Sequence, residues 1–228
     1  MADTAQPPIV HFDFDGTLVH ISEEKYSWQN FTKQDLPPVE CAKEFLLGLI
    51  STRVDIGNIV SRRPNIWQRR SVTMRSIDQA GLSDFFDSKE TVSLEGLVLP
   101  WWTSETRKAK RVVGDAEHRV TGMIEDKPHK LGLEMIRLMM KQGGVFEPIV
   151  LGAVDHPEAE SRVSKLADYV LKEFGKSVDI TEDDGAMQFV KHSRGSFALE
   201  VVVLKPFSFE EGQDFGNRLN DYDIPQPK

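Results

Sequence analysis

Two acidic residues near the start of the chain have the types and the spacing for phosphoryl chemistry. Asp13 and Asp15 follow a short apolar run, Ile9 to Phe12, that is typical of a buried strand, and Gly16 allows a sharp turn out of it. Because strand side chains alternate, both carboxylates point the same way and repel each other unless a cation lies between them. Oxygen ligands of this kind suit Mg²⁺. One carboxylate can then attack phosphorus while the other gives and takes a proton.

Three further candidates follow later in the chain, at or near predicted strand ends. Ser61 ends an apolar run, Lys108 lies in a predicted helix, and Glu125-Asp126 follows another apolar run. Taken alone, each has an ordinary structural interpretation: a helix N-cap, a solvated helix face and a strand exit. Their ordered placement along the chain favours the chemical interpretation of all of them together. Lys110, two residues further on, competes with Lys108.

In this order the residues resemble the motifs of the haloacid dehalogenase (HAD) superfamily. Asp13-Phe14-Asp15-Gly16-Thr17 is similar to the first motif, Ser61 to the second, Lys108 to the third, and Met123 to Pro128 to the acidic fourth. The resemblance covers residues 8–155 and implies a hydrolase, a metal-binding phosphatase of the type without a cap domain. The segments around Ser61, Lys108 and Glu125 are also loosely similar to the phosphatase domains of nucleic-acid end-healing enzymes.

The resemblance implies a role for each acidic residue. Asp13 is the nucleophile that forms an aspartyl-phosphate, and Asp15 is the general acid and base. Magnesium is held by Asp13, the carbonyl of Asp15 and Asp126. Glu125 contacts the metal directly or through water, and Thr17 is a secondary candidate. An Asp at position 15, where the superfamily's ion pumps have Thr, favours a phosphatase over a transport ATPase.

Phosphate binding is assigned in the same way to Ser61 and Lys108, with Lys110 as the alternative to Lys108. Arg62 joins them because it follows Ser61 directly and its charge suits a phosphate-rich substrate.

The elements that position these residues alternate between strands and helices. This pattern predicts an α/β fold, a three-layer Rossmann-like sandwich with a five-stranded, mostly parallel sheet. Ligands of such sheets bind beyond the carboxyl ends of the strands. The predicted strands are Ile9 to Asp13, Val54 to Val60, 91–99, Val120 to Ile124 and Pro148 to Gly152, and the helices between them are Pro37 to Leu49, Asn65 to Ala80, Thr103 or Ser104 to Val113, and Lys130 to Lys141.

Residues 156–228 are predicted to form a C-terminal α+β appendage with no assignable motif. It contains a helix to about Phe174, a hairpin of Ala186 to Lys191 and Phe197 to Leu204, and a last helix from Phe209 to Leu219. Its strand with three consecutive valines is too hydrophobic to stand in water. It must cover the edge of the parallel sheet, another subunit or the mouth of the site. We expect it to dock on the core and to shape substrate access.

Composition sets the remaining bounds. The 228 residues carry a net charge of −8, which argues against sequence-blind nucleic-acid binding. One cysteine, Cys41, excludes an intrachain disulfide, and its apolar, predicted helical surroundings favour a small buried residue. With neither a signal peptide nor a membrane span expected, the sequence predicts a cytoplasmic protein without a membrane partner. His11 is expected to be structural.

Substrate access follows from the spacing of the motifs. Neither the chain between Thr17 and Ser61 nor that between Ser61 and Lys108 has room for a full cap, and His20 to Leu36 forms a flap at most. An open site suits a macromolecular phosphorylated substrate. Alternatively, residues 156–228 or a second subunit act as the lid. A nucleic-acid 3′-end phosphatase is the first rival, and an inactive binding module, against which the intact acidic set argues, is the second.

Overall fold

The structure, a computed structural model, describes residues 6–20, 37–64, 67–86, 91–96, 104–154, 156–183, 185–192 and 195–222; of 62–64, 67–69, 95–96 and 104 it describes the backbone alone. From residue 9 to residue 174 strands and helices alternate, as the sequence predicts, and three successive strands and a last helix follow. The strands are β1 (Ile9–Phe12), β2 (Asp55–Pro64), β3 (Val92–Gly96), β4 (Thr121–Glu125), β5 (Ile149–Ala153), β6 (Asp179–Asp183), β7 (Ala186–Lys191) and β8 (Phe197–Val203). The α-helices are α1 (Ala42–Ser51), α2 (Trp67–Gln79), α3 (Ser104–Asp115), α4 (Pro128–Gln142), α5 (Ala159–Phe174) and α6 (Phe209–Asn220).

All eight strands of the described residues belong to one sheet, in the order β3-β2-β1-β4-β5-β8-β7-β6. The first five of that order are parallel, as expected. The strand order reverses at β1 and β4, which is the place where open α/β sheets bind ligands. The carboxyl ends of these two central strands therefore mark where a site is expected.

The sheet is covered on both faces, which confirms the α/β class with helices in two outer layers. One apolar cluster includes side chains of α1, α2 and α6, and the other includes side chains of α3, α4 and α5. The central strands β1 and β4 are buried along their whole length. Burial on both faces explains why their sequences are continuous apolar runs rather than alternating ones.

The prediction of a five-stranded sheet is wrong, because the sheet has eight strands in the described residues. Strand β8 pairs in parallel with β5, so the backbone edge of β5 is paired with a strand of the C-terminal segment, residues 156–228. Strand β7 then runs antiparallel to β8, and β6 antiparallel to β7. The expected hairpin therefore docks on the edge of the core sheet, and it has a third strand that the sequence did not indicate.

The last helix, α6, is closely packed against α1. A Cβ atom placed on Gly212 would lie 2.1 Å from the carbonyl oxygen of Phe45, and one on Gly48 would lie 2.1 Å from that of Phe209. The two glycines thus let the helix backbones touch. At the other end of α6, Glu200 of β8 accepts hydrogen bonds from Arg218 and from Tyr222, each at 2.8 Å.

Helix α1 begins five residues later than the sequence suggested. Residues 37–39 are instead held against 18–20: His20 N–H donates to Pro37 O at 2.8 Å and Val39 N–H to Leu18 O at 3.0 Å. Cys41 precedes the helix with a φ of 58° and is exposed, so the prediction of a buried helical cysteine is wrong.

Candidate active site

Acidic and polar residues from three neighbouring strands come together at the carboxyl edge of the sheet. Asp13 directly follows β1, Ser61 lies in β2, and Glu125 is the last residue of β4. Asp13, Ser61 and Glu125 are at most 1% exposed. The structure therefore brings together the candidates that the sequence placed at successive strand ends.

The turn after β1 is shaped around Gly16. This residue has a φ of +83°, and its N–H donates to Val19 O at 2.9 Å, while the N–H groups of Leu18 and Val19 donate to Phe14 O. A Cβ atom on Gly16 would lie 3.0 Å from Asp126 Oδ2. Only glycine therefore suits both the backbone conformation and the close approach of Asp126.

Lys108 of α3 occupies the centre of the site. Its side chain is completely buried, its Nζ lies 2.8 Å from Asp13 Oδ1, and it donates a hydrogen bond to Glu125 Oε2. Lys110 is exposed on the same helix. The geometry thus selects Lys108, and not Lys110, as the lysine that faces the acidic residues.

Three carboxylates form a group that could hold a metal ion. One oxygen from each of Asp13, Glu125 and Asp126 lies within 4.8 Å of the others. Asp126 Oδ1 is buried and has no hydrogen-bonding partner among the residues that the structure describes. An all-oxygen donor set with a buried acceptor awaiting a partner fits a hard divalent cation.

Glu125 is more closely involved than the sequence indicated. Besides Lys108 on Oε2, its Oε1 accepts a hydrogen bond from the N–H of Lys127 at 3.1 Å. The Lys127 side chain in turn lies 3.2 Å from Asp126 Oδ2. Glu125 therefore fixes Lys108 and the start of the following loop, in addition to offering an oxygen to a metal.

Asp15 lies on the Ser61 side of the site. The Ser61 hydroxyl is 3.5 Å from Asp15 Oδ2, a long hydrogen bond. The Thr17 hydroxyl is buried without a hydrogen-bonding partner in the described part of the chain. The side chain of Arg62 lies outside the described residues, as do residues 21–36 of the flap predicted over His20 to Leu36.

His11 is part of the scaffold, as the sequence suggested. It is fully buried, its Nδ1 accepts a hydrogen bond from Asn58 N–H at 3.0 Å, and its Nε2 therefore donates to Asp115 Oδ2 at 2.9 Å. This hydrogen bond lowers the pKa of Asp115 below its usual value of 3.8. The imidazole ties β1, two residues before Asp13, to β2 and to the end of α3.

One contact to the site comes from the segment that the sequence left unassigned. Arg162 of α5 donates a hydrogen bond to the main-chain oxygen of Asp126. No spacing or motif pointed to this arginine, because the contact joins elements that are distant in sequence.

Comparisons with family models, with curated proteins and with solved structures found no match. The likeness of the site to a known superfamily therefore depends on the motif residues themselves and on their geometry. In the part of the chain that the structure describes, no helix combines the length and apolar character needed to cross a membrane.

Proposed function

We propose that this protein is a Mg²⁺-dependent phosphomonoester hydrolase of the HAD type that forms an aspartyl-phosphate on Asp13. The observation that carries the proposal is the fully buried ammonium of Lys108 beside Asp13, within a group of carboxylates at the switch point of a parallel sheet. A carboxylate so positioned, with a cation beside it, suits attack on a phosphoryl group.

The residues present fit a divalent cation. Asp13 and Asp126 would hold it, with Glu125 close enough to join them, and the carbonyl of Asp15 is a further ligand by resemblance. When bound, Mg²⁺ supplies positive charge to the transferring phosphoryl oxygens.

The chemistry assigned to the chain's own residues has two steps. In the first, a carboxylate oxygen of Asp13 bonds to phosphorus while the ester oxygen leaves and takes a proton from Asp15. In the second, water attacks phosphorus and gives its proton to Asp15, and the bond to Asp13 breaks to release phosphate. Lys108 and Ser61 donate hydrogen bonds to the phosphoryl oxygens during both steps.

The first test is turnover of an aryl phosphate. We expect hydrolysis that requires Mg²⁺ and stops with excess chelator. Asp13→Asn should abolish turnover and leave the fold intact, because an amide does not attack phosphorus, whereas Asp84→Asn at an exposed position should match the wild type. Near wild-type kcat in Asp13→Asn would refute the nucleophile, and full activity in chelator would refute the metal.

A nucleic-acid 3′-end phosphatase is the second candidate, and a basic cluster favours it. Burial first, and then the charges of Lys130, Arg162 and Lys165, lower the pKa of His129 to about 4 against the opposing charge of Glu105. Three cations and one carboxylate thus lie near a residue that follows Asp126 closely. Such a cluster suits a substrate with further phosphates. Turnover of a 3′-phosphorylated oligonucleotide in preference to phenyl phosphate, with kcat/KM falling steeply with salt, would select this candidate.

A further inference from the structure

Arg162 joins the C-terminal segment to the main chain of Asp126, one of the candidate metal ligands. It lies in the first turn of α5, and its side chain is only 12% exposed. One nitrogen, Nη1, donates to the main-chain oxygen of Asp126, and the other, Nη2, donates to Glu158 Oε2 at 3.0 Å. The guanidinium is therefore held from two sides, with one arm on the loop that carries a candidate metal ligand.

The place of this contact in the sheet explains what it does. The pairing of β4 with β5 ends at Glu125 and Ala153, and one more backbone hydrogen bond follows, from Val154 N–H to Glu125 O at 3.1 Å. The next carbonyl along the chain is that of Asp126, where the chain turns towards α4. Arg162 donates a hydrogen bond to this carbonyl. The hydrogen-bonded backbone therefore extends one residue beyond the bond between Val154 and Glu125.

That additional residue is the one whose carboxylate belongs to the candidate metal group. A carbonyl fixed by a charged donor restrains the backbone of Asp126, and with it the direction of the carboxylate. Loss of a side chain that orients a metal ligand in this way typically weakens metal binding about 10–100-fold. Arg162 lies in α5, which the motifs of residues 8–155 do not include.

We propose that Arg162 is a positioning residue that holds Asp126 ready for a divalent cation, so that the C-terminal segment completes the metal site of the core. The inference rests on the metal site of the proposed function. It assigns to α5 a role in metal binding as well as in packing.

The sign of the effect separates positioning from simple electrostatics. Arg162 is a cation beside a cation site, so if it acted through its charge alone, its removal would strengthen metal binding. Positioning requires the opposite, because a loosened Asp126 must be ordered again when the metal binds. Lys165, exposed on the same helix one turn further on, is the matched control for the loss of charge.

The experiment is a titration of the full chain with Mn²⁺, in which free Mn²⁺ is measured by electron paramagnetic resonance and Mg²⁺ is the competitor. We expect Arg162→Met to raise the Mn²⁺ Kd about 10–100-fold. Lys165→Met should leave the Kd unchanged or lower it slightly, and Glu158→Gln, which keeps the bond to Asp126, should stay near the wild type. Arg162→Lys should fall between Arg162→Met and the wild type.

Each outcome decides between the proposals. A wild-type Kd, or tighter binding, in both Arg162 variants overturns the inference even if the wild type is an active phosphatase. A wild type that binds no Mn²⁺ overturns it as well. If Arg162→Met binds Mn²⁺ more weakly than the wild type, but the wild type hydrolyses no phosphomonoester, the inference is sustained and the proposed function is refuted. If Arg162→Met does not fold, as judged by thermal unfolding without metal, Arg162→Lys decides.

Discussion

A lysine ammonium enclosed by protein needs partners that offset its loss of water, and Lys108 has two carboxylates beside it. Asp13 and Glu125 are as deeply buried as the lysine, so the three charges depend on one another. Removing the cation of such a group leaves its carboxylates buried without compensation. A change that removes Lys108 therefore leaves Asp13 and Glu125 without the cation between them. Under the proposed function it also removes a donor to phosphate.

Lys108 and Lys110 lie on the same helix, α3, and allow a direct comparison. We expect Lys108→Met to lower kcat about 10²–10³-fold, by analogy with the loss of a positioned donor, and to lower the free energy of unfolding by about 3–5 kcal/mol because two carboxylates lose their partner. Lys110→Met should change neither quantity. Aryl phosphate turnover and urea unfolding measure the two effects. Greater damage from Lys110→Met would show that the helix presents the other lysine to the substrate.

The sequence predicts those site residues that lie at or near the carboxyl ends of strands. Asp13, Ser61 and Glu125 come together because parallel strands end at one edge, and Lys108 was found by its similarity to a motif. The hydrogen bond from Lys108 to Glu125 and the contact of Arg162 with Asp126 depend on how helices lie on the sheet. Side-chain contacts between distant elements leave no periodic signal in the sequence.

At the scale of elements, the link between His11 and Asp115 joins β1 to α3, the helix that carries Lys108. Its strength should depend on pH through Asp115, whose pKa the hydrogen bond from His11 lowers from 3.8. A carboxyl with a lowered folded-state pKa stabilises the protein above its unfolded pKa, and this stabilisation is lost as the pH falls through the folded value. The contribution is therefore complete at neutral pH and declines below about pH 4.

The corresponding variant is Asp115→Asn, which cannot ionise. We expect it to lower the free energy of unfolding at pH 7 by about 1 kcal/mol, the difference between a charged and a neutral acceptor. The difference from the wild type should shrink when urea unfolding is repeated below pH 4. Asp168→Asn, exposed on α5, provides the control. A difference that stays constant from pH 7 to pH 3 would contradict the assigned cause.

Two elements differ from the prediction for physical reasons. The sequence of β6, Asp179-Ile180-Thr181-Glu182-Asp183, is mostly exposed and lacks an apolar face, so no strand signal is present and pairing with β7 imposes the extended conformation. The first residues predicted for α1 are extended because Pro37 O and Val39 N–H bond to residues before the segment at 21–36. In both cases tertiary pairing overrides the local pattern.

At the scale of the whole molecule, the C-terminal segment is continuous with the core that the motifs define. Strand β8 covers the edge of β5, and α6 places Phe215 and Leu219 in the same apolar cluster as Val10 and Phe12 of β1. A separate appendage would bury its apolar residues within itself. The sequence predicts a core of residues 8–155 and a separate appendage of residues 156–228. These contacts cross that boundary, and a truncated chain tests whether the core is independent.

We expect a chain cut before His156 to aggregate or to unfold without cooperativity, because the cut exposes the edge of β5 and the face of α1 that α6 covers. A chain ending at Ser208, which keeps β8 and loses α6 alone, isolates the second of these effects. We expect it to show lower stability and to bind a hydrophobic dye. Both chains are to be compared with the full chain by size-exclusion chromatography and urea unfolding. A soluble, monomeric chain cut before His156 that unfolds cooperatively would show that residues 8–155 are an independent domain. In that case Arg162, which this shortened chain lacks, would be dispensable for folding. Weaker Mn²⁺ binding by the shortened chain would then be the effect that its contact with Asp126 still predicts.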